Sequence, residues 1–192
     1  MVHRTIHKYL VVLCGFACIA APTAAATYKI DGMHSSAVFS VKHFEVSNFY
    51  GTFAGIDGTL EYDAAKPAAS SIQVSIAADS VQSRSGQRDD HIKSPDFLNA
   101  KQFPTITFKS KSVASKGDGM EVRGDLTLNG VTREISAVVT KIGEGENPRS
   151  GDAIVGFEAR FTVDRTAHDM NFMVGPLGKE IGFILSLEAV KQ

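Results

Sequence analysis

The sequence predicts an all-β protein, a single domain built as an eight-stranded antiparallel barrel with one or two short helices between strands near residues 80–103. Three observations carry this. Apolar and polar residues alternate with period two through most of the chain beyond residue 36, which puts one face of each segment in a core and the other in water. Asn129-Gly130 separates two such segments, and a two-residue type I′ hairpin needs positive φ at both positions, which Asn-Gly tolerates best. Gly58, Gly124, Gly156 and Gly182 fall inside predicted strands, where glycine costs stability unless the strand bends sharply or another group comes close. Strong coiling favours a closed barrel over two stacked sheets. Eight strands leave an interior just wide enough to be filled by side chains or to admit one slim ligand.

In chain order, residues 1–26 read as a secretion signal. Arg4 and Lys8, with His3 and His7, form a basic start; residues 9–21 are apolar but too few to span a bilayer comfortably; Ala24-Ala25-Ala26 supplies the small residues of a cleavage site after Ala26. Cys14 and Cys18 leave with that segment, so the domain, residues 27–192, carries no thiol, disulfide or cysteine metal site. A lipid anchor on Cys18 is the rival, and Gly15, three residues before it, stands where such signals carry an aliphatic residue. In a two-membrane bacterium the address is the periplasm. No later apolar run approaches membrane-spanning length, which predicts a soluble mature protein. Hydrophobic residues at 43% against 21% charged exclude wholesale disorder, and 20 Lys and Arg against 21 Asp and Glu leave no basic field for nucleic acid.

The first strand alternates Ala37, Phe39, Val41 and His43 with Val38, Ser40 and Lys42. After a break, Ala54, Ile56, Gly58, Leu60 and Tyr62 share a face; residues 63–70, with Pro67, make a turn; Ile72, Val74, Ile76 and Ala78 follow, then Ile106, Phe108 and Ser110. Lys109 and Lys111 on an outer face guard against edge pairing. The Asn129-Gly130 turn fixes a register: Leu128 opposite Val131, Leu126 opposite Arg133, Gly124 opposite Ile135, Val122 opposite Ala137 and Met120 opposite Val139. A loop over 143–151 leads to a strand with Val155, Phe157, Ala159, Phe161 and Val163 inward. The last strand turns Ile181, Phe183, Leu185, Leu187 and Ala189 inward.

Residues 80–103 break the alternation and are too many for an ordinary hairpin loop. Ser94-Pro95 fits an N-cap followed by proline at the first helical position, with Asp96 placed for the helix dipole. Ile92, Phe97, Leu98 and Phe103 give the segment an apolar side, as a lid or plug over a barrel end or as a helix docked outside.

Across most of residues 27–192 the chain resembles the YceI-like family. The resemblance rests on Tyr28-Lys29-Ile30-Asp31 with His34-Ser35-Ser36, residues 39–43, Gly51-Thr52-Phe53, Arg88-Asp89-Asp90-His91 with Ser94-Pro95-Asp96-Phe97, residues 103–108, and residues 124–132. It implies a lipocalin-like barrel, usually periplasmic, that binds a long polyisoprenoid such as an isoprenoid quinone, with no other cofactor. Two departures bear on the head group: Arg165-Thr166-Ala167-His168-Asp169-Met170 lacks the Phe-Gly that many relatives carry between Arg and Met, and Glu134 stands where many have proline.

Each buried CH₂ is worth about 0.8 kcal/mol, so an apolar tunnel holds a prenyl tail with few polar contacts. The candidate lining is Phe39, Val41, Leu60, Ile72, Val74, Ile76, Phe108, Val122, Leu126, Ile135, Phe157, Phe161, Phe183 and Leu185; plain core packing is the alternative for each. Candidate head-group contacts at a mouth are Arg88, His91, Arg133, Arg165 and His168, with helix capping and mutual pairing as the alternative for the 88–91 cluster. Arg133, inward opposite Leu126, has to lie at a barrel end to stay wet. The histidines beyond the signal, His34, His43, His91 and His168, have no tight metal-ligand spacing, although a site assembled in space escapes that test. Ser36 near His34 lacks a nucleophile-elbow pattern. The expectation is therefore a non-catalytic carrier of a polyprenyl lipid in transient contact with the inner membrane or a membrane cytochrome. The alternatives are an enzyme acting on an enclosed lipid and a packed-barrel interaction module.

Overall fold

The structure, a computed structural model, describes residues 25–192. The predicted signal falls outside them except for Ala25 and Ala26. The strands are β1 (Ala26–Ile30), β2 (Ser36–His43), β3 (Ser47–Phe53), β4 (Ile56–Tyr62), β5 (Ser71–Ala77), β6 (Val81–Gln82), β7 (Thr105–Lys116), β8 (Gly119–Leu128), β9 (Val131–Glu146), β10 (Ala153–Asp164) and β11 (Leu177–Lys191), with one α-helix among the described residues, α1 (Gly86–Lys93), and three short 3-10 turns. The order β1-β4-β5-β7-β8-β9-β10-β11, with β1 also paired to β11, closes an eight-stranded antiparallel barrel. β2, β3 and β6 continue β1, β4 and β5 past short interruptions and extend the wall beyond β11, so eleven pieces form eight staves.

The predicted hairpin register holds pair for pair from Leu128↔Val131 to Met120↔Val139, with φ of 50° at Asn129 and 74° at Gly130. Of the glycines, Gly124 explains itself by space: a Cβ there would meet the Lys109 carbonyl oxygen at 2.3 Å and the Phe108 ring at 2.6 Å, beside a bulge between Ser110 and Ser112. β3 escapes the period-two reading because its inward row is Phe49, Gly51, Phe53, and the Phe39 ring fills the place of a side chain at Gly51, 2.3 Å from where a Cβ would sit. The predicted 143–151 loop shrinks, since β9 runs on to Glu146 and pairs with Ala153.

Ser94 is corrected from helix start to helix end. α1 begins after Ser85, whose side chain accepts from the Arg88 N–H, and Ser94 is its C-cap, with its own N–H donating to the His91 carbonyl. Pro95 then stops the helix, a position as natural for proline as the first turn, and the chain folds back as the Phe97 and Asn99 N–H groups both donate to the Ser94 carbonyl.

One seam in the wall is open. β9 pairs with β8 from Val131 to Val139, but with β10 only from Val138 onward, so Val131–Ala137 presents an edge with no strand partner. Above the seam a clasp joins hairpin and barrel: His168 Nδ1 lies 3.0 Å from the Val131 carbonyl oxygen, and Asn129 Nδ2 donates to the His168 carbonyl at 3.1 Å.

Candidate functional site

Inward residues of the eight staves enclose two cavities in line along the barrel. The inner one, about 100 Å³, runs from Tyr62, Ser70 and Met120 at one end to Phe53, Ile106, Leu128 and Phe183. These last four residues also line the outer cavity, about 430 Å³, which lies under α1 and the loop after β10. Along β11, wall residues run from Leu187 to Leu177, ten residue steps, which is about 33 Å of strand and roughly 25 Å along a barrel whose strands tilt near 40°.

Twelve of the fourteen predicted wall residues line the inner cavity, and the other two, Phe39 and Val41, line the outer one. The inner wall is apolar except for Ser70, Ser71, Thr107 and the phenol of Tyr62. Aromatic rings stiffen both walls: Phe161 stacks on Phe183 at 5.1 Å in the inner one, and in the outer one Phe39 packs against Phe53 at 5.4 Å and Phe49 at 6.3 Å. Ile92, Phe97 and Leu98, expected on the apolar side of a lid or plug, line the outer wall, whereas Met170 and Met173 were not predicted, because they sit in a loop, where no periodicity marks an inward face.

The five predicted head-group residues separate. Arg88 and His91 line the outer cavity. Arg88 Nε donates to Ser83 Oγ at 2.9 Å and Nη2 to the Ser83 carbonyl at 2.5 Å, with the guanidinium 4.4 Å from the centre of the Phe49 ring. His91 Nε2 lies 2.9 Å from Asp96 Oδ2. Arg165 also touches that cavity, yet it is 1% exposed and committed to backbone: Nε donates to Gly178, Nη1 to Met170 and Phe172, and Nη2 to Leu177 carbonyls, at 2.5–3.1 Å. Burial pushes its pKa down, with the Asp164 charge acting the other way. Its first role is to shape the loop after β10 and tie it to the start of β11. His168 is corrected: it is 1% exposed, lines neither cavity and belongs to the clasp on Val131. Arg133 is exposed opposite Leu126, as predicted, but it too lines neither cavity. Neither cavity has an Asp or Glu in its wall.

Away from the cavities, the turn between β1 and β2 brings Asp31, His34 and Glu188 together, with one ligand atom of each within 4.8 Å of the others. His34 Nδ1 is 2.8 Å from Asp31 Oδ2 and 3.8 Å from Glu188 Oε1. The hydrogen bond to Asp31, then the two carboxylate charges, raises the His34 pKa; the same bond chiefly lowers that of Asp31. Sequence spacing could not find this trio, because Glu188 is 154 positions from His34 and arrives with β11.

Among the described residues, no helix is long and apolar enough to cross a membrane. The YceI-like domain model matches residues 28–189. Protein YceI of Escherichia coli O17:K52:H18 is 39% identical over 175 residues, 90% of this chain and 91% of that protein. BcnA of Burkholderia cenocepacia has a similar fold, with a TM-score of 0.75, 22% identity and coverage of 83% of this chain and 98% of its own. So has a polyisoprenoid binding domain from Saccharophagus degradans implicated in plant cell wall breakdown, with a TM-score of 0.63, 13% identity and coverage of 88% and 100%.

Proposed function

Because the chain belongs to the YceI-like family, we propose that it is a periplasmic, non-catalytic carrier that holds one polyisoprenoid chain, an isoprenoid quinone or polyprenyl lipid, along the barrel axis. The observation that carries the reading is the pair of aligned cavities with an almost wholly apolar inner wall. An isoprene unit has five carbons, so each unit buried there gains about 4 kcal/mol before ordering costs. The tail occupies the inner cavity and the head the outer one, near Arg88 and His91. The polyisoprenoid-binding domain of Saccharophagus degradans has the same fold, which supports the ligand class. No metal or further cofactor is required by this reading.

The exchange partner is the inner membrane or a membrane cytochrome. Phe44 (56% exposed), Val46 (83%), Met173 and Val174 stand exposed on two loops at the outer-cavity end, tied by the Phe44 N–H donating to the Pro176 carbonyl at 2.8 Å. Apolar loop tips beside the mouth support contact with a lipid or apolar surface.

The test is native mass spectrometry of the exported protein purified without detergent, followed by organic extraction. A prenyl lipid near one per chain is the expected result. A protein that emerges empty, and stays empty when offered ubiquinone or polyprenols, is instead a packed-barrel interaction module.

A further inference from the structure

We propose that residues 85–97, built around α1, form a lid whose opening controls ligand exchange, latched by the ring cluster of His91, Phe97 and Phe172. The inference rests on the carrier reading above and adds the moving part. Beneath the segment lies the outer cavity, whose wall includes Arg88, His91, Ile92 and Phe97 from the lid itself.

Three features suit this stretch to move as a unit. First, α1 has no fully buried residue, and its one apolar side chain, Ile92, is the single half-buried contact it makes with the core; segments with few buried contacts open at low free energy. Second, the backbone hydrogen bonds of residues 85–97 either stay inside the segment, as from Asp89 to Ser85, Ser94 to His91 and Phe97 to Ser94, or join it to the adjoining hinge, where Leu98, Asn99 and Ala100 donate to Ile92, Ser94 and Lys93; only these last three stand to be broken by opening. Swinging it outward breaks no sheet ladder. Third, it is bracketed by Arg84 and Asn99, non-glycine residues in the left-handed region at φ 63° and 45°. Such positions persist only where the surroundings enforce them, and they recur at switch regions. Leu98 and Ala100, buried beside Asn99, pin that hinge to the core. At the other hinge Ser83 holds both Asp89 and Arg88.

What keeps the lid shut is a set of ring contacts to fixed parts. Phe172 meets His91 at 5.1 Å and Phe97 at 5.5 Å, edge to face, and His91 meets Phe97 at 5.1 Å. Phe172 is a rigid post, because Arg165 grips its carbonyl together with that of Met170 in the same loop and those of Leu177 and Gly178 at the start of β11. Arg88 over the Phe49 ring adds a second, smaller catch on β3. Phe172 itself lines neither cavity, so its loss alters closure without removing a wall residue.

The experiment follows transfer of solanesol from phosphatidylcholine vesicles to the protein by native mass spectrometry. Phe172→Ala removes two ring contacts and is expected to speed loading and release about tenfold each, leaving equilibrium occupancy within about twofold. The double variant His91→Cys, Phe172→Cys, in a background with Cys14 and Cys18 replaced by serine, is bridged by dibromobimane. The bridged protein is expected to load at least about tenfold more slowly than the same protein unbridged. Loading by Phe172→Ala at the wild-type rate, or by bridged protein at the unbridged rate, overturns the lid and directs attention to the β9–β10 seam. Wild-type protein that never takes up solanesol overturns the carrier reading itself, a result that no change in relative rates can mimic.

Discussion

The Asn129 side chain donates to the backbone carbonyl of His168 at 3.1 Å, fastening the β8–β9 hairpin tip to the turn that ends β10. Asn129 also holds φ at 50°, so two roles coincide at one residue. Asn129→Gly keeps the backbone freedom and loses the bond, and should cost about 1 kcal/mol in urea unfolding; Asn129→Ala adds left-handed strain and should cost about 2–3 kcal/mol. Equal losses in the two variants would assign the whole effect to the side-chain bond.

His168→Ala leaves a buried gap and frees the Val131 carbonyl from its ring partner. We expect a loss of about 2–3 kcal/mol with retention of bound lipid unchanged. Retention falling out of proportion to stability would return His168 to the ligand site, where the sequence had placed it.

Arg165→Met strips four backbone carbonyls of their donor at once. The expected cost is above about 3 kcal/mol, and Arg165→Lys should recover little of it, because a single ammonium cannot fork to four acceptors. Urea midpoints of the two variants, compared with wild type, check both statements.

Val74 faces the inner cavity from β5. Val74→Phe should occupy that space, lower prenyl-lipid occupancy severalfold and change stability by less than about 1 kcal/mol. In a barrel already packed solid the same change would cost about 1–3 kcal/mol by overpacking. Extraction and urea unfolding on one preparation separate the outcomes.

His34 is expected to titrate above its ordinary 6.5 and Asp31 below its ordinary 3.8. A raised histidine pKa gives stability that is full below 6.5 and is lost as pH rises through the folded value. A lowered carboxyl pKa gives stability that is full above 3.8 and is lost as pH falls through its folded value. The pair therefore contributes most between those two ordinary values. NMR titration should show the His34 pKa drop toward 6.5 in Asp31→Asn, and no drop would remove Asp31 as the cause.

The barrel was legible wherever a strand alternated in full and its turn had one chemistry, as at Asn129-Gly130, whose register follows from the turn alone. It was illegible where an inward position belongs to a neighbour's ring, as at Gly51 under Phe39. The inner wall could be read because each stave declares its face residue by residue. The mouth could not: Ser94 has the same side chain for starting a helix as for ending one, and only the backbone decides. Arg165 and His168 carry no mark in the sequence that separates a charged lip from a buried strut.

Past the Val131 carbonyl, which His168 holds, the edge of β9 up to Ala137 has no strand partner and offers backbone donors and acceptors to any passing strand, the geometry from which aggregates grow. What stands on it is Thr132, Arg133, Glu134 and Ser136, all exposed. Arg133 and Glu134 then serve colloidal solubility: they make it costly for a second molecule to zip onto the edge. Replacing both with valine should leave the isolated barrel folded and turn a monodisperse solution into one whose apparent mass grows with concentration.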